Sequence, residues 1–451
     1  MRQMGGLLQE LRGGRLMARV FRSTSWILLG YGGSQALRLA SNLILTRLLF
    51  PEAFGLMALV GLVTMGLMLF SDVGIAPSIA QSKRGDDPDF LDTAWSIQVI
   101  RGVILFAIAV GLAAPFAAFY EAPELATYLP IAALALLVTG FNPTRIETAH
   151  RHLLMGRLTV LDLISQVIGL VVMIVLAWWL QSVLALVLGG VVAPLATLAL
   201  TWIYLPGAPN RFRWERAAVG ELVGFGKWIF LSTVFWFFAS QGDRAVLGKF
   251  LSLQSLGIYN IAFFLATFAF QLGTAVTGRV MIPVYRDAKH ERAKIARLRH
   301  GISGVTLGLL LLMAFGGPWL VEALYDPRYV AGGGIVTLLS VALIPQVIGM
   351  SYDQAALAAG DSRRFFVVSA TRAVFQISFL IAGVSLFGLT GAIAGIGLAH
   401  LLTHPVIIWL ARTHDAWDLR HDLICTIGAG GLGVAALWMH WPQIVALSDL
   451  G

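Results

Sequence analysis

Gln35, Arg38 and Asn42 interrupt a run that is otherwise apolar from 24 to 46. Their spacing of i, i+3 and i+7 gathers them on one helical stripe. A guanidinium in such a run costs at least about 2.5–3.5 kcal/mol unless it faces a bundle interior or water. The stripe therefore reads as facing a cavity, and the competing reading is a structural pair of Arg38 with Asp72. Gln98 with Arg101, three apart, and Arg372 with Gln376, four apart, repeat the device. For these two arginines, and for Lys227 and Arg279, the alternative is a membrane rim, because long cationic side chains snorkel. Carboxylates in apolar stretches are fewer: Asp72, Asp162, Asp243 and Asp353. Each is a candidate for proton or sodium coupling and also for a helix cap or local pair, Asp243 beside Arg244 above all. Several guanidinium groups facing few acids suit an anion, since Arg holds phosphate through paired donors and a low dielectric strengthens the attraction. The chemistry indicated is recognition of a phosphate-bearing solute.

Other chemistries find no foothold. The stretch G-D-R-A-V-L-G-K-F from Gly242 imitates a phosphate-binding loop, but five residues separate its glycines and Phe250 replaces the Ser or Thr. The G-A-G-G-L-G run at 428–433 lies in an apolar segment with no preceding strand, so it reads as close helix packing, as do Gly391 and Gly395. The histidines at 150, 152, 400, 404, 414 and 421 show no metal-ligand pattern, and no nucleophile elbow is present. No cofactor is expected, and the protein reads as no enzyme. The one cysteine, Cys425, reads as a small apolar filler.

The elements that must carry these residues are membrane spans. Apolar residues make up 58% of the 451-residue chain and charged residues 12%, with a mean hydropathy of +0.80. About 20 apolar residues cross a hydrocarbon core, and backbone groups there must be bonded within the segment, so the runs read as helices. They fall near 24–46, 52–80, 93–118, 126–144, 159–179, 183–205, 222–241, 256–282, 302–324, 331–359, 365–386 and 388–410, with a thirteenth near 423–441. The tail after His440 is too short for another. Residues 1–23 are basic and precede an apolar run, as in a signal peptide. That run carries Arg38 and lacks a small-residue cleavage site, so it reads as the first retained span. With the N-terminus inside, inner loops hold 23 Lys and Arg and outer loops 4, which fixes the orientation by the positive-inside rule. The net charge of +8 therefore belongs to topology and calls for no nucleic acid.

The passage L-T-R-L-L-F-P-E-A-F-G-L at 45–56 is echoed by L-G-K-F-L-S-L-Q-S-L-G-I at 247–258, 202 residues on, and the same offset places Trp26-Ile27 on Trp228-Ile229. A period this long indicates a duplicated domain. Spans 1 and 7 run in the same direction, so the halves form parallel repeats. The expected organisation is a basic cytoplasmic terminus (1–23), a six-helix bundle (24–205), a cytoplasmic linker (206–221), a second six-helix bundle (222–410), then a short cytoplasmic segment, an extra helix and a tail (411–451). Two lobes meeting at an axis leave a central cavity. No expected outer loop has room for a folded domain.

The stretch F-S-D-V-G-I-A-P-S-I-A-Q at 70–81, with T-A-W-S-I-Q-V-I-R-G at 93–102, resembles bacterial oligosaccharide flippases. These are the Wzx-type polysaccharide transporters of the multidrug/oligosaccharidyl-lipid/polysaccharide exporter superfamily. The resemblance continues at 241–262, at I-P-V-Y-R-D (282–287) and at L-Y-D-P-R-Y-V-A-G-G-G-I-V-T-L-L (324–339), covering about 20–410. It implies a V-shaped pair of six-helix bundles in the bacterial inner membrane. Alternating access would carry a polyprenyl-diphosphate-linked oligosaccharide from the cytoplasmic to the outer leaflet, for exopolysaccharide, O-antigen or capsule synthesis. The implied partners are that glycolipid, membrane lipid, a polysaccharide polymerase and glycosyltransferases. Family positions do not transfer onto the individual arginines, and many relatives have fourteen spans. A multidrug exporter of the same fold is the alternative, though an acidic lumen would suit cationic drugs better. A membrane polymerase or ligase would need a sizeable outer loop.

Overall fold

The computed structural model describes residues 26, 29–71, 74–152, 154–287 and 291–450, with only the backbone described at 223–236, 239, 287 and 449. Among these residues all regular structure is helical. α1 (29–48) carries the first polar stripe. There follow α2 (Pro51–Phe70), α3 (Ile75–Gln81), α4 (Pro88–Phe119), α5 (Leu125–Gly140), α6 (Arg145–Arg151), α7 (Met155–Leu180), α8 (Val183–Tyr204) and α9 (Arg216–Phe250). Beyond these lie α10 (Leu253–Asp287), α11 (Arg292–Leu324), α12 (Gly332–Ala342), α13 (Ile344–Gly349), α14 (Asp353–Ala358), α15 (Ser362–Thr413), α16 (Leu419–Met439) and α17 (Trp441–Val445). Among the described residues nine helical stretches are long and apolar enough to cross a membrane, with Pro51–Gln81 and Gly332–Ala358 each taken as one, or ten if the α5–α6 pair, bent by 61°, is one broken span. Exposed Trp178, Trp179, Trp319 and Trp438 stand near the ends of α7, α11 and α16. Indole rings favour that depth at a membrane interface.

Three expected spans are broken. The 331–359 run divides into α12, α13 and α14. Pro345 at the start of α13 lacks the N–H that would continue α12 and its ring crowds the carbonyl four residues back. The 52–80 run divides into α2 and α3, and the 126–144 run ends at Gly140 before Asn142-Pro143. By contrast α15 consists of two antiparallel arms. At 1.5 Å per residue its 52 residues would extend about 78 Å, over twice a hydrocarbon core. The chain turns back at Phe387 and at Gly388, whose φ of 59° suits glycine. The arms touch where Gly391 faces the Gly383 carbonyl and Gly395 the Phe379 carbonyl, so a methyl at either would collide with backbone. Close packing, expected at 391 and 395, is what these glycines provide.

Contacts divide the chain into two compact units. One is built on Val63–Thr233 with the helix before Phe50, the other on Val234–Gly451 with Phe50–Leu62. In the first unit the basic stretch 208–215 is strapped along α4. Asn210 Nδ2 donates to Thr144 Oγ1 (2.7 Å) and Asp92 Oδ1 (3.2 Å), and the Arg213 N–H donates to Ser96 Oγ (2.9 Å). The Glu215 N–H donates to Thr93 Oγ1 (3.2 Å), while Arg84 forks onto the Glu215 carboxylate (2.8 and 2.9 Å) and also bonds Asp87. The expected linker is thus pinned between Asn210 and Glu215 and passes into α9 at Arg216.

In the second unit the repeated passage meets itself. Helices end at 48 and 250 and restart at Pro51 and Leu253, preserving the offset of 202. Gly55 lies against the Leu253 carbonyl and Gly257 against the Pro51 carbonyl, each leaving no room for a Cβ. The two contacts exchange under the offset, so a local two-fold relates the first turns of α2 and α10. Phe54 and Arg328 extend this contact, Phe54 edge-on to Tyr329 (6.0 Å between centroids) and Arg328 over the Phe50 ring (4.9 Å).

Candidate functional site

In the first unit the breaks in α2 and α5 leave carbonyl groups without helical partners, and α4 supplies donors to both. Gln98 Nε2 donates to the carbonyls of Thr139 and Asn142 (both 3.2 Å) at the end of α5. One turn on, Arg101 donates to the Met68 carbonyl (2.6 Å) and Ser71 Oγ (2.9 Å) at the end of α2. A cation there also complements the helix dipole. Gln98 and Arg101 line a cavity of about 290 Å³ with Asn142 and Glu147. The pair expected to bind solute therefore shapes this cavity by holding backbone.

The α1 stripe is divided by burial. Gln35 is buried, its Nε2 donating to Tyr31 Oη at 3.4 Å; Asn42 is half-buried; Arg38 is exposed. No hydrogen bond or ion pair joins Arg38 to a described residue, and Asp72, its alternative partner, lies outside the described residues. Asp162 is exposed on α7 and accepts from Gln166 Nε2 (2.8 Å), which also donates to Ser34 Oγ of α1 (2.9 Å).

In the second unit the break before α14 places Asp353 at a helix start, and Arg372 on the first arm of α15 pairs with it at 3.0 Å. Their side chains are 11% and 18% exposed, so the pair is largely dry. Gln376, one turn beyond Arg372, is buried, as is His400 on the second arm. The structure differs from expectation at Asp243. Its buried carboxylate accepts from Tyr259 Oη (2.8 Å), whereas Arg244 donates to Asn260 Oδ1 (3.0 Å) and Gln241 Oε1 (3.1 Å) and lies over the Phe263 ring (4.5 Å). Adjacent side chains on a helix diverge by about 100°, so sequence neighbours take different partners. Arg279 is exposed on α10, and the side chain of Lys227 lies outside the described ones.

Sequence reasoning missed one buried cluster. Asp422 accepts from Tyr352 Oη (2.7 Å) and Trp417 Nε1 (3.1 Å), and lies near His421 Nδ1 (3.2 Å) and His404 Nε2 (3.3 Å). These residues come from the turn before α14 (Tyr352), the second arm of α15 (His404), the turn between α15 and α16 (Trp417) and α16 (His421 and Asp422). The only sequence signal was a pair of acids, Asp418 and Asp422, one turn apart at the start of an apolar run.

The described residues are all-helical in their regular structure, with cations and carboxylates held inside apolar units as in a multi-pass membrane protein, and solved structures show the same fold. The lipid II flippase MurJ in an inward closed conformation superposes with a TM-score of 0.67 over 94% of this chain and 96% of that one, at 11% identity. An inward-facing multidrug resistance MATE family transporter of the MOP superfamily gives 0.63 over 85% and 95%, at 17% identity. Within that fold the sequence is narrower: residues 44–359 match the family model described as polysaccharide biosynthesis protein, and the chain belongs to this family. The teichuronic acid biosynthesis protein TuaB of Bacillus subtilis is 21% identical over 372 residues, 80% of this chain and 74% of that protein. The succinoglycan biosynthesis transport protein ExoT of Rhizobium meliloti is 25% identical over 303 residues, 66% of this chain and 60% of that one.

Proposed function

We propose that the protein is a flippase that moves a polyprenyl-diphosphate-linked oligosaccharide from the cytoplasmic to the outer leaflet by alternating access. The family match over 44–359 carries this reading. The names of two relatives, one in teichuronic acid biosynthesis and one in succinoglycan transport, agree with it. In this reading twelve core helices form two six-helix bundles, 24–205 and 222–410, arranged as a V with the N-terminus cytoplasmic and α16 as a thirteenth span. The head group carries a diphosphate and many hydroxyls, whose transfer into lipid without partners is costly. A hydrated cationic lumen lowers that barrier. Arg38, with no bond to a described residue, is assigned to the diphosphate, with Gln35, Asn42 and Gln376 around the path. Arg101 and Arg372 shape the walls through the Ser71 and Asp353 contacts.

The test is transfer of the native glycolipid in proteoliposomes, read with a membrane-impermeant sugar-modifying reagent. Acceleration by the wild type and a loss of tenfold or more in Arg38→Ala are expected. Failure to accelerate transfer of the native glycolipid would overturn the proposal in favour of drug efflux, which the likeness in fold to a multidrug transporter leaves as the second reading.

A further inference from the structure

The second unit contains a cavity of about 940 Å³ that no step of the proposed transport uses. It lies where α10 ends and α11 begins, against α14 and the 413–420 turn between α15 and α16. Its volume is that of a pocket for a substantial ligand, about 300–1,000 Å³. Four guanidinium groups line it, from Arg286, Arg292, Arg299 and Arg420, against two carboxylates, Asp415 and Asp418.

These arginines divide by role. Arg299 is 2% exposed and is locked by Tyr285 Oη (2.8 Å), the Ala416 carbonyl (2.6 Å) and Asp418 (3.5 Å), with the Tyr352 ring under its guanidinium at 4.6 Å. It holds the 416–418 turn against α11 and is framework. Arg292 faces Asp415 at 3.9 Å with both side chains more than three-quarters exposed, a separation and exposure at which an ion pair contributes little. Arg420 is exposed and makes no hydrogen bond or ion pair with a described residue. Two accessible forks thus face an opening with an excess of positive charge. A fork of paired N–H groups matches the oxygens of a phosphate ester.

The rim identifies what kind of phosphate. Leu419 lines the cavity and begins an exposed apolar stripe on α16 that continues at Leu423 and Ile427, at i, i+4 and i+8, with exposures of 52%, 50% and 72%. A ligand with its anionic end among the arginines would lay an acyl chain along this stripe. A soluble phosphate would leave the stripe unused.

We propose that this cavity binds the head group of an anionic glycerophospholipid, with an acyl chain along α16. Basic pockets between spanning helices at the cytoplasmic end hold such head groups, and the proposed orientation puts the cavity there. Only the choice of leaflet rests on that orientation; binding does not depend on flippase activity.

The test uses the full chain in detergent, titrated with cardiolipin, phosphatidylglycerol or phosphatidylcholine of matched acyl chains, and with inorganic diphosphate. Binding and thermal stability are read together. Saturable binding of the two anionic lipids is expected, with a rise in melting temperature, and at least tenfold weaker binding to Arg292→Gln/Arg420→Gln. Because both side chains are exposed, this variant should melt like the wild type without lipid. Equal protection by phosphatidylcholine, unchanged anionic-lipid affinity in the variant, or inorganic diphosphate binding as tightly as the lipids would overturn the proposal. None of these outcomes bears on glycolipid transfer, which is measured separately.

Discussion

At the scale of single residues, the charged side chains in the apolar zone differ by what holds them. Arg101 is committed to the Met68 carbonyl and the Ser71 hydroxyl and Arg372 to Asp353, whereas Arg38 is exposed without a described partner. This difference predicts different behaviour on mutation. Removing one member of a largely dry pair leaves the other charge uncompensated, at a cost of about 3–5 kcal/mol. Arg372→Met should therefore lower unfolding stability by about 3 kcal/mol in detergent, and the double variant Arg372→Met/Asp353→Leu should recover most of it. Arg38→Ala should leave melting nearly unchanged while reducing transfer; a large loss of stability instead would make Arg38 a structural residue. Spacing alone showed that Arg101 and Arg372 sit on polar stripes. It did not show that helix ends bring the Met68 carbonyl, the Ser71 hydroxyl and Asp353 to them, because where α2 ends at Phe70 and where α14 begins at Asp353 depend on how neighbouring helices pack.

At the scale of elements, the contact between α2 and α10 makes a sharp prediction. A methyl at Gly55 or Gly257 would overlap the opposing carbonyl oxygen, and overpacking of this kind costs about 1–3 kcal/mol or more. Gly55→Ala and Gly257→Ala should each lower the melting temperature. Gly61→Ala, on the same helix with open space around it, should be neutral or stabilising by up to about 1 kcal/mol. The strap over α4 offers a second test. Hydrogen bonds from Arg84 hold the carboxyl groups of Asp87 and Glu215 below their ordinary values of 3.8 and 4.5. Groups with depressed folded pKa values contribute stability that is complete above their unfolded values and lost as pH falls through the folded ones. Amide exchange over 213–216, corrected for intrinsic rate, should accelerate in the wild type below about pH 4.5. In Arg84→Ala it should already be fast at pH 7; slow exchange there would show that the Thr93 and Ser96 contacts suffice.

At the scale of the whole molecule, the proposed transport depends on duplication and orientation. The passage repeated at an offset of 202 residues meets itself at Gly55 and Gly257, and the parallel halves proposed from it fix a direction for every span. Orientation can be checked because the chain has one cysteine, Cys425. In a Cys425→Ala background, Phe250→Cys should react with a membrane-impermeant maleimide in intact cells. Lys83→Cys should react only after permeabilisation, and the reverse pattern would invert the proposed topology and the direction of transport.

Helical class, the approximate segments and the excess of cations over acids followed from composition and from runs of apolar residues, because lipid requires every span to satisfy its own backbone. The turn between the last two long runs was legible for the same reason, since no helix of 52 residues fits one crossing. Tertiary structure alone decided which polar groups meet. Asp243 turns to Tyr259 rather than Arg244, Asp422 collects Tyr352, His404, Trp417 and His421, and Arg299 stacks on Tyr352. Such contacts join residues up to 70 positions apart, as for Tyr352 and Asp422. Periodicity assigns a side chain to a face of its own helix, and only packing determines which neighbour that face receives.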